Sequence, residues 1–231
     1  YPMAGMTSHQ VTVGVYDIDI DQVNFLETGE PDDHYLTNIS WSPDGEHIYI
    51  AELNREQNHM KLNRYNSTSG DLEEMLFEEK HTKYVEPLNP ILFVKSNKDQ
   101  FIWQSNRDGY NHLYLYNTSG ELIKQLTSGE WEVIDIIGFD NSGSNLYFIS
   151  VKLKNGKITQ HSSFPGTHSA TLSLSGRYLI DRLSAHDNPG QLSLIDTRNQ
   201  KSELLSFSKN PFEGYNVPSV EIGIIKAADG E

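Results

Sequence analysis

The chain has 231 residues, no cysteine, and 18 basic residues against 32 acidic ones, which gives a formal net charge of −14. The lack of cysteine excludes a disulfide scaffold, cysteine-ligated metals and thiol catalysis. The negative charge repels phosphate backbones, so we expect no nucleic-acid partner and an attraction for cationic groups such as peptide N-termini. No stretch approaches the ~18 apolar residues of a membrane-spanning helix, so we expect no membrane span in this segment.

Short strands dominate the predicted elements. They are rich in β-branched and aromatic residues and are bounded by Gly, Asn, Asp and Ser. In chain order they cover residues 11–16, 48–50, 101–103, 113–116, 146–149 and 192–195. A 3.6-residue apolar period is never sustained over four turns, so we expect few helices. Residues 71–80 are the one candidate for a short helix, and their place at the end of a repeat favours a strand instead.

Two kinds of turn alternate along the chain. The first kind follows an apolar strand, and its landmark residues are Gly45, Lys98, Gly143 and Gly176. The second kind joins two later strands at residues 65–71, 116–121, 153–157 and 195–199, with a degenerate copy at 16–21. Asn, Asp, Ser and Gly suit both kinds because hairpin turns need residues that tolerate positive φ or bond their own backbone.

This alternation of strands and turns is typical of the four-stranded blades of a β-propeller. We therefore predict an all-β fold that is part of a β-propeller, with about four four-stranded antiparallel blades plus a half blade. Because a single blade cannot cover both of its faces, neighbouring blades must bury one another. A two-sheet sandwich, which also has many short strands, is the alternative.

The third repeat is about ten residues shorter between its two turns than the other repeats. Antiparallel neighbours need a loop between them, so a blade that lost this connection could not keep four strands. Either this blade is truncated or a loop is omitted between Ser150 and Val151. The intact strand patterns on both sides favour the omitted loop.

Motifs of known catalytic and metal centres are absent, including the nucleophile elbow, the dinucleotide fingerprint, the phosphate loop and His-Glu-x-x-His. We therefore predict no catalytic residue, no metal site and no cofactor in this chain. Several polar groups are interpreted as surface features: the solvated strand face Asp17, Asp19 and Asp21, the solvated pairs Glu73–Glu74 and Glu78–Glu79, and the unligated histidines His161 and His168.

Two aromatic-rich stretches, residues 103–114 and 129–133, are more informative. In the first, Arg107 can pair with Asp108 in a loop between strands while Trp103 and Tyr114 pack between blades. The alternative is an aromatic platform that binds a ligand, since loops often carry function.

A family resemblance rests on motifs that occur in the same order over nearly the whole chain. The segment Tyr1-Pro2-Met3-Ala4-Gly5 resembles the Tyr-Pro-x-Ala-Gly segment of the dipeptidyl peptidase IV family, in the prolyl oligopeptidase clan. The resemblance continues at residues 33–36, 53–58, 84–87, 105–116 and 129–133. Within this family the chain resembles members of the Bacteroidetes type.

The resemblance implies an eight-bladed propeller that caps an α/β-hydrolase domain. Residues 1–210 would form part of the propeller, and residues 211–231 the connection and first strand leading into a hydrolase domain that this sequence lacks. The family removes Xaa-Pro and Xaa-Ala dipeptides from peptide N-termini as periplasmic or secreted serine peptidases. Its catalytic Ser, Asp and His, and the residues that hold the substrate ammonium, would lie outside this chain, so the chain alone should be inactive.

Under this resemblance the chain shapes and gates the substrate chamber, and its partners are peptide substrates and the hydrolase domain of the same polypeptide. Glu86 is the one candidate substrate-binding residue. It follows Tyr84 and Val85, where the mammalian enzyme has a Trp-Val segment leading into an insertion that touches extended substrates; this sequence lacks the insertion.

A free-standing propeller that binds proteins is the alternative function. In either case a half ring leaves two apolar blade faces open, so we expect this chain to self-associate, either end blade against end blade or by strand addition.

Overall fold

The structure, a computed structural model, describes residues 6–152, 161–162, 164–185 and 188–216. Every regular element among these residues is a β-strand. The described part of the chain therefore contains no helix of the length and apolarity that a membrane crossing requires.

Among the described residues of the first compact unit, residues 1–156, twelve strands form four antiparallel sheets. Consecutive strands are hydrogen-bonded neighbours in every sheet. The first sheet is β1 (Gly14–Asp17) and β2 (Gln22–Phe25), and the second is β3 (Tyr35–Trp41), β4 (His47–Leu53), β5 (His59–Asn66) and β6 (Leu72–Lys80). The third is β7 (Leu92–Val94), β8 (Asn97–Ser105), β9 (His112–Asn117) and β10 (Leu122–Gln125), and the fourth is β11 (Trp131–Phe139) and β12 (Leu146–Lys152).

The second compact unit, residues 157–231, holds one four-stranded antiparallel sheet among its described residues. Its strands are β13 (Thr167–Leu172), β14 (Tyr178–Ala185), β15 (Asn188–Asp196) and β16 (Lys201–Phe207).

The predicted fold class is confirmed, because sheets of four antiparallel strands in chain order are propeller blades. The half blade is the sheet β1–β2, and residues 71–80 contribute the strand β6 rather than a helix. Among the described residues, three sheets have four strands and β11–β12 has two; residues 153–160, which follow β12, lie outside those described.

Ser150 and Val151, between which a loop was predicted to be omitted, both belong to β12 and pair in succession with Val133 and Glu132 of β11. They are consecutive in this sequence, so the omission of a loop stays a prediction. The copy of the second turn predicted at residues 153–157 lies outside the described residues.

The predicted turns of the first kind are confirmed at their glycines. The backbone N–H groups of Gly45, Gly143 and Gly176 donate to carbonyls three residues back, at 3.0, 3.1 and 2.8 Å, with φ of 80°, 70° and 70°. In the second and third sheets the second turn bonds the first turn of its own sheet: Ser67 N donates to Glu46 O at 2.9 Å and Thr118 N to Asp99 O at 3.0 Å. In the first unit both kinds of turn therefore lie at one end of the strands, which we call the turn end.

The three aspartates near the start of the chain belong to a turn, so their interpretation as a solvated strand face is wrong. Asp17 closes β1, and its Oδ1 accepts hydrogen bonds from the backbone N–H groups of Asp19 (2.9 Å) and Ile20 (3.3 Å). Asp21 has a φ of 56°. The competing prediction, a degenerate copy of the second turn at residues 16–21, is confirmed.

The core of the first unit lies between its sheets rather than within them. Side chains alternate along each strand, so one strand serves two interfaces. In β4, Ile48 and Ile50 pack towards β1–β2, whereas Tyr49 and Ala51 pack towards β7–β10. A third cluster around Ile102 joins β7–β10 to β11–β12.

Gly120 is required by the close approach of two blades. It has a φ of 82°, and a Cβ atom placed on it would lie 2.2 Å from the carbonyl oxygen of Leu76 in the preceding sheet. Gly45 has nearly the same φ, 80°, but a Cβ atom there meets nothing within 4 Å.

We predict that Gly120→Ala destabilises the chain more than Gly45→Ala. Both substitutions place an alanine in left-handed backbone, which costs about 1 kcal/mol. Gly120→Ala must in addition push two blades apart, which costs about 1–3 kcal/mol more. The free energies of unfolding in urea measure the difference. Equal losses for the two variants would contradict a tight contact between Gly120 and the preceding blade.

Candidate functional site

The candidate residue Glu86 lies in the segment of residues 81–91 that joins β6 to β7. This segment is at the end of the strands opposite the turn end, which we call the connection end. Val85 is 5% exposed and packs in the core between the second and third sheets. Glu86 is exposed, and its carboxylate forms no hydrogen bond or ion pair with the described residues.

Backbone hydrogen bonds and one side chain fix this segment to the second sheet on both sides of Glu86. Val85 N donates to Gln57 O at 2.8 Å, and the side-chain amide of Asn38 donates to Pro87 O at 3.0 Å. Asn38 sits at a bulge in β3 with a φ of 55°. Glu86 is thus held between two anchored neighbours.

His81 shapes the start of the segment. Its Nδ1 atom accepts the backbone N–H groups of Lys83 (3.1 Å) and Tyr84 (3.3 Å), and its ring meets that of Tyr84 edge-on at 6.4 Å. The Tyr84 ring remains more than half exposed. The segment therefore presents an aromatic ring and a free carboxylate to solvent, on either side of the buried Val85.

Glu79 is not a solvated residue, so that prediction is wrong. Its side chain is 10% exposed. It accepts hydrogen bonds from Trp103 Nε1 (2.8 Å) and Ser105 Oγ (2.9 Å) of β8, and it forms an ion pair with Arg107. The carboxylate therefore joins the second sheet to the third, directly before the candidate segment.

The other three glutamates of these pairs are more exposed but are also paired. Glu78 lies 2.8 Å from His59 Nε2 and 2.7 Å from Lys80 Nζ. The hydrogen bond from Lys80, followed by that from His59, lowers the pKa of Glu78. Glu73 and Glu74 both contact the guanidinium of Arg64, at 3.1 and 3.2 Å.

Arg107 completes the partly buried cluster that Glu79 begins. It donates to Tyr116 Oη at 2.6 Å and to Ser105 Oγ at 3.2 Å, and its guanidinium carbon lies 4.4 Å from the centre of the Tyr114 ring. Burial alone would lower the pKa of Arg107, but the charge of Glu79 and the contact with Tyr116 outweigh it and raise that pKa. Arg107 therefore stays charged.

The structure corrects the predicted pairing of Arg107 with Asp108, because Asp108 instead accepts from Gln125 Nε2 at 2.7 Å. The predicted packing of Trp103 and Tyr114 between blades is confirmed, since both are buried in the core between the second and third sheets. Buried rings cannot serve as a platform for a ligand, so the alternative interpretation of this stretch is wrong.

His112 ties the third sheet to the start of the fourth. Thr127 Oγ1 accepts from the N–H of Leu113 (3.0 Å), so its own proton is free to bond His112 Nδ1 (3.1 Å). The Nε2 atom then donates to the carbonyl of Gly129 (3.0 Å). The ring also meets Trp131 edge-on at 4.9 Å. The stretch 129–133 is therefore a packed junction.

Two further polar groups do not form a site. In the described residues, Asp44, Glu46 and His47 are close enough to share a metal ion, but Asp44 already accepts from Ser42 and from the N–H of Glu46. In the second unit, His168 lies 2.9 Å from the Asp181 carboxylate and 2.9 Å from Phe164 O. His168 is thus a paired, largely buried residue, so its interpretation as a surface residue is wrong.

Comparison with known proteins assigns residues 1–190 to a family model described as the N-terminal region of dipeptidyl peptidase IV. The dipeptidyl-aminopeptidase B of Emericella nidulans is 25% identical over 233 residues, which cover 89% of this chain and 26% of that protein. A dipeptidyl peptidase 4 of Aspergillus flavus is 28% identical over 169 residues, 66% of this chain and 21% of that protein. The chain thus spans about a quarter of the length of these relatives.

Two solved structures share the fold over the whole chain. A protein described as a dipeptidyl aminopeptidase IV from Bacteroides ovatus is 44% identical with a TM-score of 0.88, and the match covers 37% of that protein. The dipeptidyl peptidase 4 of Porphyromonas gingivalis is 23% identical with a TM-score of 0.83 over 35% of its length, which shows the shared fold.

We predict that Glu79→Gln destabilises the chain by about 1–3 kcal/mol, because Arg107 would keep a partly buried charge without its partner. The adjacent Glu78→Gln is a matched control at a more exposed ion pair and should cost less than about 0.5 kcal/mol. Urea unfolding of the two variants measures both effects. If the two losses were the same, the partly buried cluster would not stabilise the contact between sheets.

Proposed function

The chain belongs to the dipeptidyl peptidase IV family, and from this premise we propose that it is the non-catalytic propeller part of a serine exopeptidase. The whole enzyme would remove Xaa-Pro and Xaa-Ala dipeptides from peptide N-termini. The observation that carries the proposal is the match of residues 1–190 to the N-terminal region of that family. The role of this chain would be to shape and gate the chamber that admits the peptide.

The domain organisation follows from the same proposal. Residues 1–210 would belong to an eight-bladed propeller, and residues 211–231 would connect it to an α/β-hydrolase domain of the same polypeptide, which supplies the catalytic serine, aspartate and histidine. Residues 211–214 form a turn, and residues 217–231 lie outside those described. A periplasmic or secreted location belongs to this proposal as well.

The described residues support a non-catalytic role. Two groups of their polar side chains, the cluster of Glu79 and Arg107 and the junction around His112, make contacts between sheets. Neither group combines a nucleophile, a base and an open space for a substrate, which is the geometry that acyl transfer needs.

We predict that the 231-residue chain alone releases no p-nitroaniline from Gly-Pro-p-nitroanilide, whereas the full-length polypeptide from the same gene does. The nucleophile, general base and oxyanion hole would all come from the hydrolase domain. Activity in the purified chain alone would contradict the proposal. A gene that ends at Glu231 would favour a free-standing module that binds proteins.

Glu86 is proposed to contact substrate in the full-length enzyme. Its support is geometric: a carboxylate without a partner stands on a segment anchored at Val85 and Pro87, beside the exposed ring of Tyr84. A carboxylate next to an aromatic ring suits a cationic group, through charge attraction and a cation–π contact. The net charge of −14 adds a long-range attraction for such groups.

We predict that Glu86→Gln in the full-length enzyme raises KM about three- to tenfold for an extended peptide that carries lysine beyond the cleaved dipeptide. The same peptide with norleucine should be affected less, because it offers no charge. Glu46→Gln is the control, because Glu46 is an exposed carboxylate at the turn end. It should leave KM unchanged for both peptides. If KM rose equally for both peptides, Glu86 would not recognise the charge of the lysine. That result would not contradict the proposed peptidase activity of the full-length enzyme.

A further inference from the structure

An imidazole nitrogen closes the turn at the start of the segment of residues 81–91. His81 Nδ1 accepts the backbone N–H groups of Lys83 at 3.1 Å and of Tyr84 at 3.3 Å. A ring nitrogen that accepts hydrogen bonds carries a lone pair and no proton, so the His81 ring is neutral here, with its proton on Nε2. This turn therefore depends on one charge state of a single side chain.

Elsewhere in the chain an amide oxygen closes the same kind of turn. Asn66 Oδ1 accepts the N–H groups of Thr68 and Ser69, both at 2.9 Å, and these amides are again two and three residues further on. Asn is the usual residue for such a turn. An amide oxygen remains an acceptor at any pH near neutrality, whereas an imidazole nitrogen loses its lone pair when it is protonated. The turn at His81 is thus the same structure built with a titratable acceptor.

No ion pair would compensate the His81 ring for taking up a proton. Among the described residues, no carboxylate lies within ion-pair distance of this ring, whose aromatic contact is the edge-on ring of Tyr84 at 6.4 Å. His59 differs, because its Nε2 atom lies 2.8 Å from a carboxylate oxygen of Glu78. A proton on His81 Nδ1 would face two backbone N–H groups, so repulsion would replace two hydrogen bonds.

The elements next to the turn carry few groups that titrate near neutrality. The strand β6 ends directly before His81, and residues 54–59, which lead into β5, bond its backbone where His81 N donates to Asn58 O at 3.0 Å. The charged or titratable side chains of these elements, of the segment itself and of the adjoining part of the third sheet are Arg55, Glu56, His59, Glu78, Glu79, Lys80, Lys83, Tyr84, Glu86, Arg107 and Asp108. Of these side-chain types only histidine ordinarily gains a proton between pH 8 and pH 5. His81 and His59 are therefore the groups that can respond in this range.

We propose that His81 is a pH-sensitive positioning residue, which holds the exposed ring of Tyr84 in place while it is neutral and releases it when it takes up a proton. The release is confined to residues 81–84, because Val85 stays in the core and Asn38 still donates to Pro87 O. Glu86 then keeps its place while the ring beside it becomes free to move. The opening of the turn is independent of the proposed peptidase role, and only an effect on peptide binding would rest on that role.

The test is hydrogen exchange of single amides in the full-length polypeptide from the same gene, measured by mass spectrometry with fragmentation. Exchange at about pH 7.5 and about pH 5.5, a range in which histidine titrates, is expressed as protection relative to an unstructured peptide at the same pH. The amides of Lys83 and Tyr84 should lose protection about three- to tenfold at the lower pH, as expected for lost hydrogen bonds. The amides of Thr68 and Ser69, which Asn66 holds in the same geometry, are the internal control and should keep their protection.

Two variants separate the charge of His81 from its presence. His81→Asn supplies an acceptor that does not titrate, so it should preserve the protection of Lys83 and Tyr84 at both pH values, whereas His81→Ala should lower it at both. The proposal would be overturned if, in the unmodified protein, Lys83 and Tyr84 lost no more protection than the control amides. A pH dependence that persists in His81→Asn would also overturn it, because another group, such as His59, would then be responsible.

Discussion

The structure depends on strands that carry apolar side chains on both faces. In β4, Ile50 packs against the preceding sheet and Ala51 against the following one, and both are fully buried. A sheet built from such strands cannot leave either face in water, so it is stable only between two other layers. This requirement explains why the three apolar clusters of the first unit lie between sheets and why no sheet there has a core of its own.

Close packing of sheets imposes a second requirement on the polar groups at the rims of these interfaces. A charge that loses water must gain a partner, or it costs several kcal/mol. At the turn end, Arg64 meets this requirement by contacting Glu73 and Glu74 and donating to Thr118 O of the next sheet at 2.9 Å. At the connection end, Glu79 and Arg107 do the same. The bond from Arg64 to Thr118 O and the pair of Glu79 with Arg107 form only when the third sheet lies beside the second, so they make the order of these two blades specific as well as stable.

Whether a feature could be predicted from the sequence depends on whether its contacts are made by residues close together in the chain or by residues on different sheets. The turns at Gly45 and Gly143 were predictable because a turn is made by residues within a few positions of one another. Glu79 was not, because its partners lie on another sheet and its sequence neighbours, Glu78 and Lys80, suggest a solvated stretch. One signal was available: Phe77 stands two residues earlier, which places Glu79 on the apolar face of β6.

The orientation of the candidate site follows from the same packing requirement. Val85 is drawn into the core between two sheets, so the residues on either side of it, Tyr84 and Glu86, must face outwards. The hydrogen bonds from Asn38 to Pro87 O and from Val85 to Gln57 O then fix the backbone at that position. A carboxylate on a fixed backbone loses less conformational entropy when it binds than one on a mobile loop. The segment can move only if Val85 leaves the core, so the placement of Glu86 is as stable as the contact between the sheets beneath it.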